Sequence, residues 1–199
     1  FVSTTFDSGV RESHETASAQ TISGTVLFSD IRNFTTISET HAPELIARLL
    51  NTHLREMVEI IHIQSGRVEQ FIGDAIVAFF PGEPEISCPK ALKAAAMMML
   101  AHKKIQVQRS KAHEPVYDIG IGLDCGQIMA GILRSGARSE FSIIGNARTG
   151  AESCEAASKK GRATKIMLSH RVAKALPSLN IELLEHAAEL FELKELGSL

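Results

Sequence analysis

The stretch "RVEQFIGDAIVAFF" (residues 67–80) holds two runs of β-forming residues around Gly73-Asp74. A glycine followed by aspartate suits the two-residue II′ turn of a β-hairpin. Just upstream, "PELIARLLNTHLREMVEIIHIQSG" reads as an amphipathic helix. Leu45, Ile46, Leu49, Leu50, Leu54, Met57, Val58 and Ile61 recur at spacings of three and four. Pro43 fits the first turn and Gly66 stands where the helix should stop. Before that, "GTVLFSD" gives a short buried strand, Val26 to Phe28, followed by a loop, "IRNFTTISETHA".

Downstream, "CPKALKAAAMMMLAHKKIQVQ" predicts a second helix, with Ser87 as cap, Pro89 in the first turn and Met97, Met98 and Met99 as core filling. "YDIGIGLDCGQIMAGIL" reads as a second hairpin turning at Asp124-Cys125-Gly126, with Gly120, Gly122 and Gly131 marking close backbone approach. "EFSIIGNARTGAESCEAA" (residues 140–157) has the form of a strand, a Gly-Asn turn and a helix. A strand "TKIML", a short helix near His170 to Ala175 and apolar alternation through "AELFELKEL" complete the chain. The order β-α-β-β-α-β-β-α-β implies an α+β fold, a ferredoxin-like, antiparallel-rich sheet flanked by helices.

At 199 residues, 44% of them hydrophobic, the chain fits one domain with a substantial core. Lys plus Arg (21) nearly balances Asp plus Glu (23), which leaves no overall basic field for nucleic acid or anionic lipid. Any anion site is therefore local. No apolar run approaches the roughly 18 residues of a membrane span. Three widely spaced cysteines without a CxxC read as reduced thiols of a cytoplasmic protein. Residues 1–23 are polar, rich in Ser and Thr and without clear periodicity, and read as a linker from an upstream domain. Residues 24–199 form the folded domain.

Two acids stand out: Asp30 at the end of the first strand and Asp74 at the tip of the first hairpin. Paired strands ending at one edge bring their carboxylates together. Such a pair repels unless a cation joins it, and hard oxygen ligands suit Mg²⁺ or Mn²⁺. The following "IRNFT" offers backbone N–H groups to phosphates. The plainer reading, in which Asp30 caps a turn and Asp74 serves the hairpin, stands beside this one.

"VLFSDIRNFT", "FIGDAIVAFF", "GIGLDCGQIMAGIL" and "EFSIIGN" together, in this order, resemble the class III nucleotidyl cyclase catalytic domain over residues 24–199. The hairpin tip "IGDA" lacks the GG[DE]EF pattern of the related diguanylate cyclases. The resemblance implies a head-to-tail dimer that converts a nucleoside triphosphate to a cyclic nucleotide and pyrophosphate. Asp30, Asp74 and the Ile31 carbonyl would hold two Mg²⁺ or Mn²⁺ ions, and Phe34 and Thr35 would face the phosphates. Gln70 and Ser142 match the positions that read the base, with ATP weakly favoured over GTP through the likeness of Ser142 to a threonine variant. Lys194 matches a phosphate-contacting lysine; a solvated strand charge is its plain alternative.

Thr149 and Ser153 stand where the family carries the asparagine and arginine of its transition-state helix. Arg138 is the candidate replacement, whereas Arg148 is expected to point away and pair with Glu152. The chain thus resembles the metal-bearing half of mammalian transmembrane cyclases, which also has threonine at the asparagine position and works with an unlike partner domain. Three functions follow: an active cyclase as homodimer or heterodimer, a catalytically inactive nucleotide-binding regulatory domain, or a structural dimerisation module. The full protein is expected in the cytoplasm, free or anchored through an upstream region that carries a sensor. His53 and His62, nine apart on one helix, do not make a metal pair, and Cys125 reads as an ordinary thiol.

Overall fold

The computed structural model describes residues 20–135, 138–176, 181–186 and 190–196. The first strand, β1 (Gln20–Ile31), runs antiparallel to both β3 (Ala75–Pro81) and β4 (Ile119–Ser135). It begins four residues inside the stretch read as linker. With β2 (Arg67–Ile72), β5 (Arg138–Ile144), β6 (Ile166–Ser169), β7 (Leu183–His186) and β8 (Leu190–Leu193) it forms one sheet ordered β2-β3-β1-β4-β6-β8-β7, with β5 pairing β4. The β4–β6 pair alone is parallel among the described pairings, so the sheet is mixed.

Strand alternation sorts the core onto two faces. Leu27, Ile31, Ile76, Ala78 and Phe80 meet α2 (Pro43–Ile63) and α3 (Pro84–Lys111) on one face. Val26, Phe28, Val77 and Phe79 meet Ala147 and Ala151 of α4 (Asn146–Ala157) on the other. Met98 and Met99 lie in the first cluster with Met97 packed against it, as their reading as core filler predicts.

The predicted hairpin at Gly73-Asp74 is present. Gly73 takes φ +63° while Asp74 stays at negative φ, the arrangement of a II′ turn. Elsewhere the structure corrects the expectations. No turn forms at Asp124-Cys125-Gly126. Here β4 continues straight through, because β1 offers a partner at every position from Gln20 to Ile31. The loop after β1 contains a helix, α1 (Phe34–Thr40). The second helix starts at Pro84, so Ser87 is no cap; it is buried, its hydroxyl 2.8 Å from that of Thr25. Pro89 is carried inside α3, which forgoes one backbone hydrogen bond. Helix α2 is closed by Ser65 at φ +63°, with Ser65 N–H donating to the His62 carbonyl and Gly66 N–H to that of Ile61. Gly66 is needed for a different reason: a Cβ there would lie 2.6 Å from the Phe80 ring. Strand β7 has no counterpart in the sequence reading.

Candidate active site

Asp30 and Asp74 meet because β1 and β3 are antiparallel neighbours, so the end of β1 lies beside the hairpin turn that leads into β3. Ser29 faces Ile76 across the ladder, which sets Asp30 beside the hairpin tip. One Asp74 oxygen accepts a 3.1 Å hydrogen bond from the Ile31 N–H. Burial, then a hydrogen bond shared with Asp30 and the charge of Asp30, push the Asp74 carboxyl up to about 7. The donor set of two carboxylates and the neighbouring carbonyl is all hard oxygen, and the carboxylates' mutual repulsion is what a divalent cation would relieve; the residues fit Mg²⁺ or Mn²⁺.

A polar cleft of about 300 Å³ opens beside Asp30, lined also by Ile31, Arg32, Asn33, Asp118, Ser158, Lys159 and Lys165; Asp74 is not part of its wall. Asn33 takes a left-handed conformation (φ +57°) and leads into α1, whose first turn carries Phe34 and Thr35. Phe34 packs partly on the core, and Thr35 is exposed. The first N–H groups of any helix lack intrahelical partners, so this turn keeps donors available. Lys165 pairs with Asp118 at 2.6 Å on the cleft wall. Sequence reasoning passed over both, since neither falls in a motif and only the parallel β4–β6 pairing brings them together.

The other predicted residues are not gathered at this cleft within one chain. Thr149 and Ser153 lie one turn apart on the exposed face of α4, where the Ser153 hydroxyl donates to the Thr149 carbonyl at 2.9 Å. The helix itself is pressed tightly on the sheet. A Cβ on Gly122 would lie 2.1 Å from the Ala151 carbonyl oxygen, and one on Gly150 would overlap the Asp124 carboxylate. Asp124, buried, accepts from Cys125 N–H (2.8 Å), Ser169 (2.5 Å) and Arg171 (3.0 Å to Nε). Arg138 opens β5, and its side chain lies outside the described residues. Lys194 follows β8, exposed and ion-paired to Glu182.

Arg148 corrects a prediction. Its partner is Glu69, not Glu152, with Nε 3.3 Å from the Glu69 carboxylate and Nη2 donating to Gln70 Oε1 at 3.3 Å. Glu69 also accepts from Ser142 Oγ (3.1 Å) and Ile143 N–H (2.7 Å), so Gln70 and Ser142 belong to one network. Glu69 sits where the β2–β3 register slips between Val68 and Gln70. Such a bulge re-aims side chains in a way no alternation pattern announces. Cys125 is no turn residue either. It is buried in β4, and a hydrogen bond with Cys88, then burial, hold its thiol far above the ordinary range. His53 is buried against His102 and Tyr117, its pKa lowered to about 3 by burial and the neighbouring His102; His62 is exposed.

A mixed sheet with helices on both faces and an acidic pair at one sheet edge is the architecture of nucleotidyl cyclase domains. The chain belongs to the adenylate and guanylate cyclase catalytic domain family, whose profile matches residues 16–196. It is 34% identical over 164 residues to an adenylate cyclase of Anabaena cylindrica, covering 80% of this chain and 32% of that protein. A terminal-differentiation-specific adenylate cyclase of Dictyostelium discoideum is 32% identical over 124 residues, 62% of this chain and 6% of that protein. The chain thus spans a third or less of these relatives. The adenylyl cyclase CyaB from P. aeruginosa superposes with a TM-score of 0.77 at 25% identity, over 89% of this chain and 96% of that one. The guanylyl cyclase Cya2 shares the fold with a TM-score of 0.74 at 21% identity, over 89% and 93%. No helix among the described residues is long and apolar enough to cross a membrane.

Proposed function

We propose that this domain converts a nucleoside triphosphate to a 3′,5′-cyclic nucleotide and pyrophosphate at an interface between two cyclase domains. The observation that carries the reading is the convergence of Asp30 and Asp74 at one sheet edge, with Asp74 raised to about 7 partly by its partner. In the family's reaction the ribose 3′-oxygen attacks the α-phosphorus, the bond to the β-phosphate oxygen breaks and pyrophosphate leaves. Asp30, Asp74 and the Ile31 carbonyl would hold two Mg²⁺ or Mn²⁺ ions. When bound, these supply activation of the 3′-hydroxyl and charge neutralisation on the leaving group. Asn33 and the first turn of α1, with Phe34 and Thr35, flank the triphosphate. Gln70 and Ser142 of the opposite subunit face the base. Lys194, although paired to Glu182, is exposed and free to exchange that partner for a phosphate.

A second reading rests on α4. Thr149 and Ser153 supply neither the amide nor the guanidinium that the resemblance leads one to expect, and Arg138 is the residue best placed in sequence to substitute. In this reading the domain completes its site only with an unlike partner, or binds nucleotide to signal without turnover. Cyclic nucleotide production from ATP and GTP with Mn²⁺ tests both, with wild type run beside Asp30→Ala. Product that falls by at least about 10³-fold in the variant is the outcome expected of an active domain. Metal-dependent ATP binding without product selects the second reading. Absence of binding as well as product removes both.

A further inference from the structure

The network around Glu69 fixes the hydrogen-bond polarity of the two residues that face the base. The Glu69 side chain is fully buried and the Arg148 side chain is 25% exposed. A guanidinium has donors only. Its bond to Gln70 Oε1 at 3.3 Å therefore turns the carboxamide oxygen inward. The Nε2 amide, with two hydrogens and no partner among the described residues, is left as the group that can donate elsewhere. Ser142 has one hydroxyl hydrogen, and it is committed to Glu69 Oε1 at 3.1 Å. What Ser142 still offers is its lone pairs.

The network thus presents a donor at Gln70 and an acceptor at Ser142. Adenine carries the complementary pattern on its Watson–Crick edge: N1 accepts and the exocyclic N6 amine donates. Guanine carries the reverse, with N1–H donating and O6 accepting. We propose that Glu69 and Arg148 are positioning residues that polarise Gln70 and Ser142 for adenine, so that the domain selects ATP over GTP. This rests on the cyclase reading above. Neither residue touches the base; each acts through the group it orients. A free glutamine reads either base by rotating its amide, and Arg148 removes that freedom. Discrimination follows from leaving a polar group wrongly paired in a closed site, where mismatch is costly.

The test compares ATP and GTP with Mn²⁺ in wild type, Arg148→Ala, Arg148→Lys and Gln70→Glu, by turnover and by nucleotide-induced thermal stabilisation, which needs no catalysis. Wild type should prefer ATP by about tenfold or more, the discrimination one correctly polarised hydrogen bond supplies. In Arg148→Ala the ratio should collapse toward one, through a higher KM for ATP and a lower one for GTP rather than through kcat. Arg148→Lys, which keeps a donor, should restore most of it. Gln70→Glu presents acceptors only and should reverse the preference, giving a readout even where Arg148→Ala fails to fold. Equal use of both nucleotides by wild type, or an unchanged ratio in folded Arg148→Ala, overturns the inference and leaves the cyclase reading standing. Binding of neither nucleotide removes the cyclase reading, and the inference with it.

Discussion

The end of β1 and the outer face of α4 invite comparison. At the first, Asp30 and Asp74 crowd each other, and burial with the Asp30 hydrogen bond and charge pushes the Asp74 carboxyl up to about 7. At the second, Thr149 and Ser153 face outward, with one hydroxyl spent on the helix's own carbonyl. Yet α4 is fixed to the sheet with great economy of space, its backbone against Gly122 and its Gly150 against Asp124. The position of a helix and the chemistry on its outer face are therefore separable. Contacts through glycine and backbone hold α4 against the sheet, whatever stands at 149 and 153.

The widest test of that separation restores the chemistry on the existing frame. Thr149→Asn combined with Ser153→Arg should raise cyclic nucleotide formation by on the order of 10²- to 10³-fold, about 3–4 kcal/mol of barrier, in a homodimer assay. A gain below tenfold would mean that α4 is misplaced or that another group already fills the role. The converse change attacks the frame. Gly122→Ala forces its Cβ against the Ala151 carbonyl and the Glu155 amide, both backbone atoms that cannot rotate away. It should destabilise the fold by about 1–3 kcal/mol, read as a lower urea midpoint.

The acidic pair makes the opposite prediction for stability. The folded-state pKa of Asp74 is raised, so the folded protein binds more protons than the unfolded chain between about 4 and about 7. Metal-free stability therefore falls as pH rises through that window and stays low above it. Asp74→Asn removes the charge and should stabilise the metal-free protein at pH 8 by on the order of 1 kcal/mol after solvent screening, with no gain at pH 4. It should also abolish stabilisation by Mn²⁺. A variant less stable than wild type at pH 8 would show that the carboxylates do not strain each other. The smallest effect belongs to Ser153→Ala: a change within about 0.5 kcal/mol, as for exposed positions without special contacts, and unaltered turnover. A tenfold loss of product would instead place the Ser153 hydroxyl in the reaction.

Much of the fold was legible because its signals are local. The II′ hairpin needs only Gly73-Asp74 between β-formers, and α2 needs only its spacing of leucines and isoleucines. Misreadings arose where tertiary contacts overrule local signals. Asp124-Cys125-Gly126 carries turn residues, but β1 pairs with all of that stretch and keeps it extended. Ser87 and Pro89 look like a helix start, but the helix begins earlier and buries Ser87 against Thr25. Helix α1 is too short to show a period, and β7 too short to stand out from its surroundings.

Asp30 and Asp74 could be paired from sequence because one ends a strand and the other tips a hairpin, and their meeting requires only that those strands be neighbours. The partner of Arg148 could not. Helical spacing points to Glu152, four residues on along α4, whereas the fold brings up a buried Glu69 across the sheet edge. Sequence by itself determined the family, the alternation that builds both faces of the sheet, and the place of the acidic pair, since all of these depend on residue type and spacing along one chain. Only the tertiary structure decided which way Gln70 and Ser142 present their hydrogen bonds. That polarity is set by a bulge in β2 and a buried carboxylate between β2, β5 and α4, and the energy of burying an unpaired charge is felt only once those three elements have met.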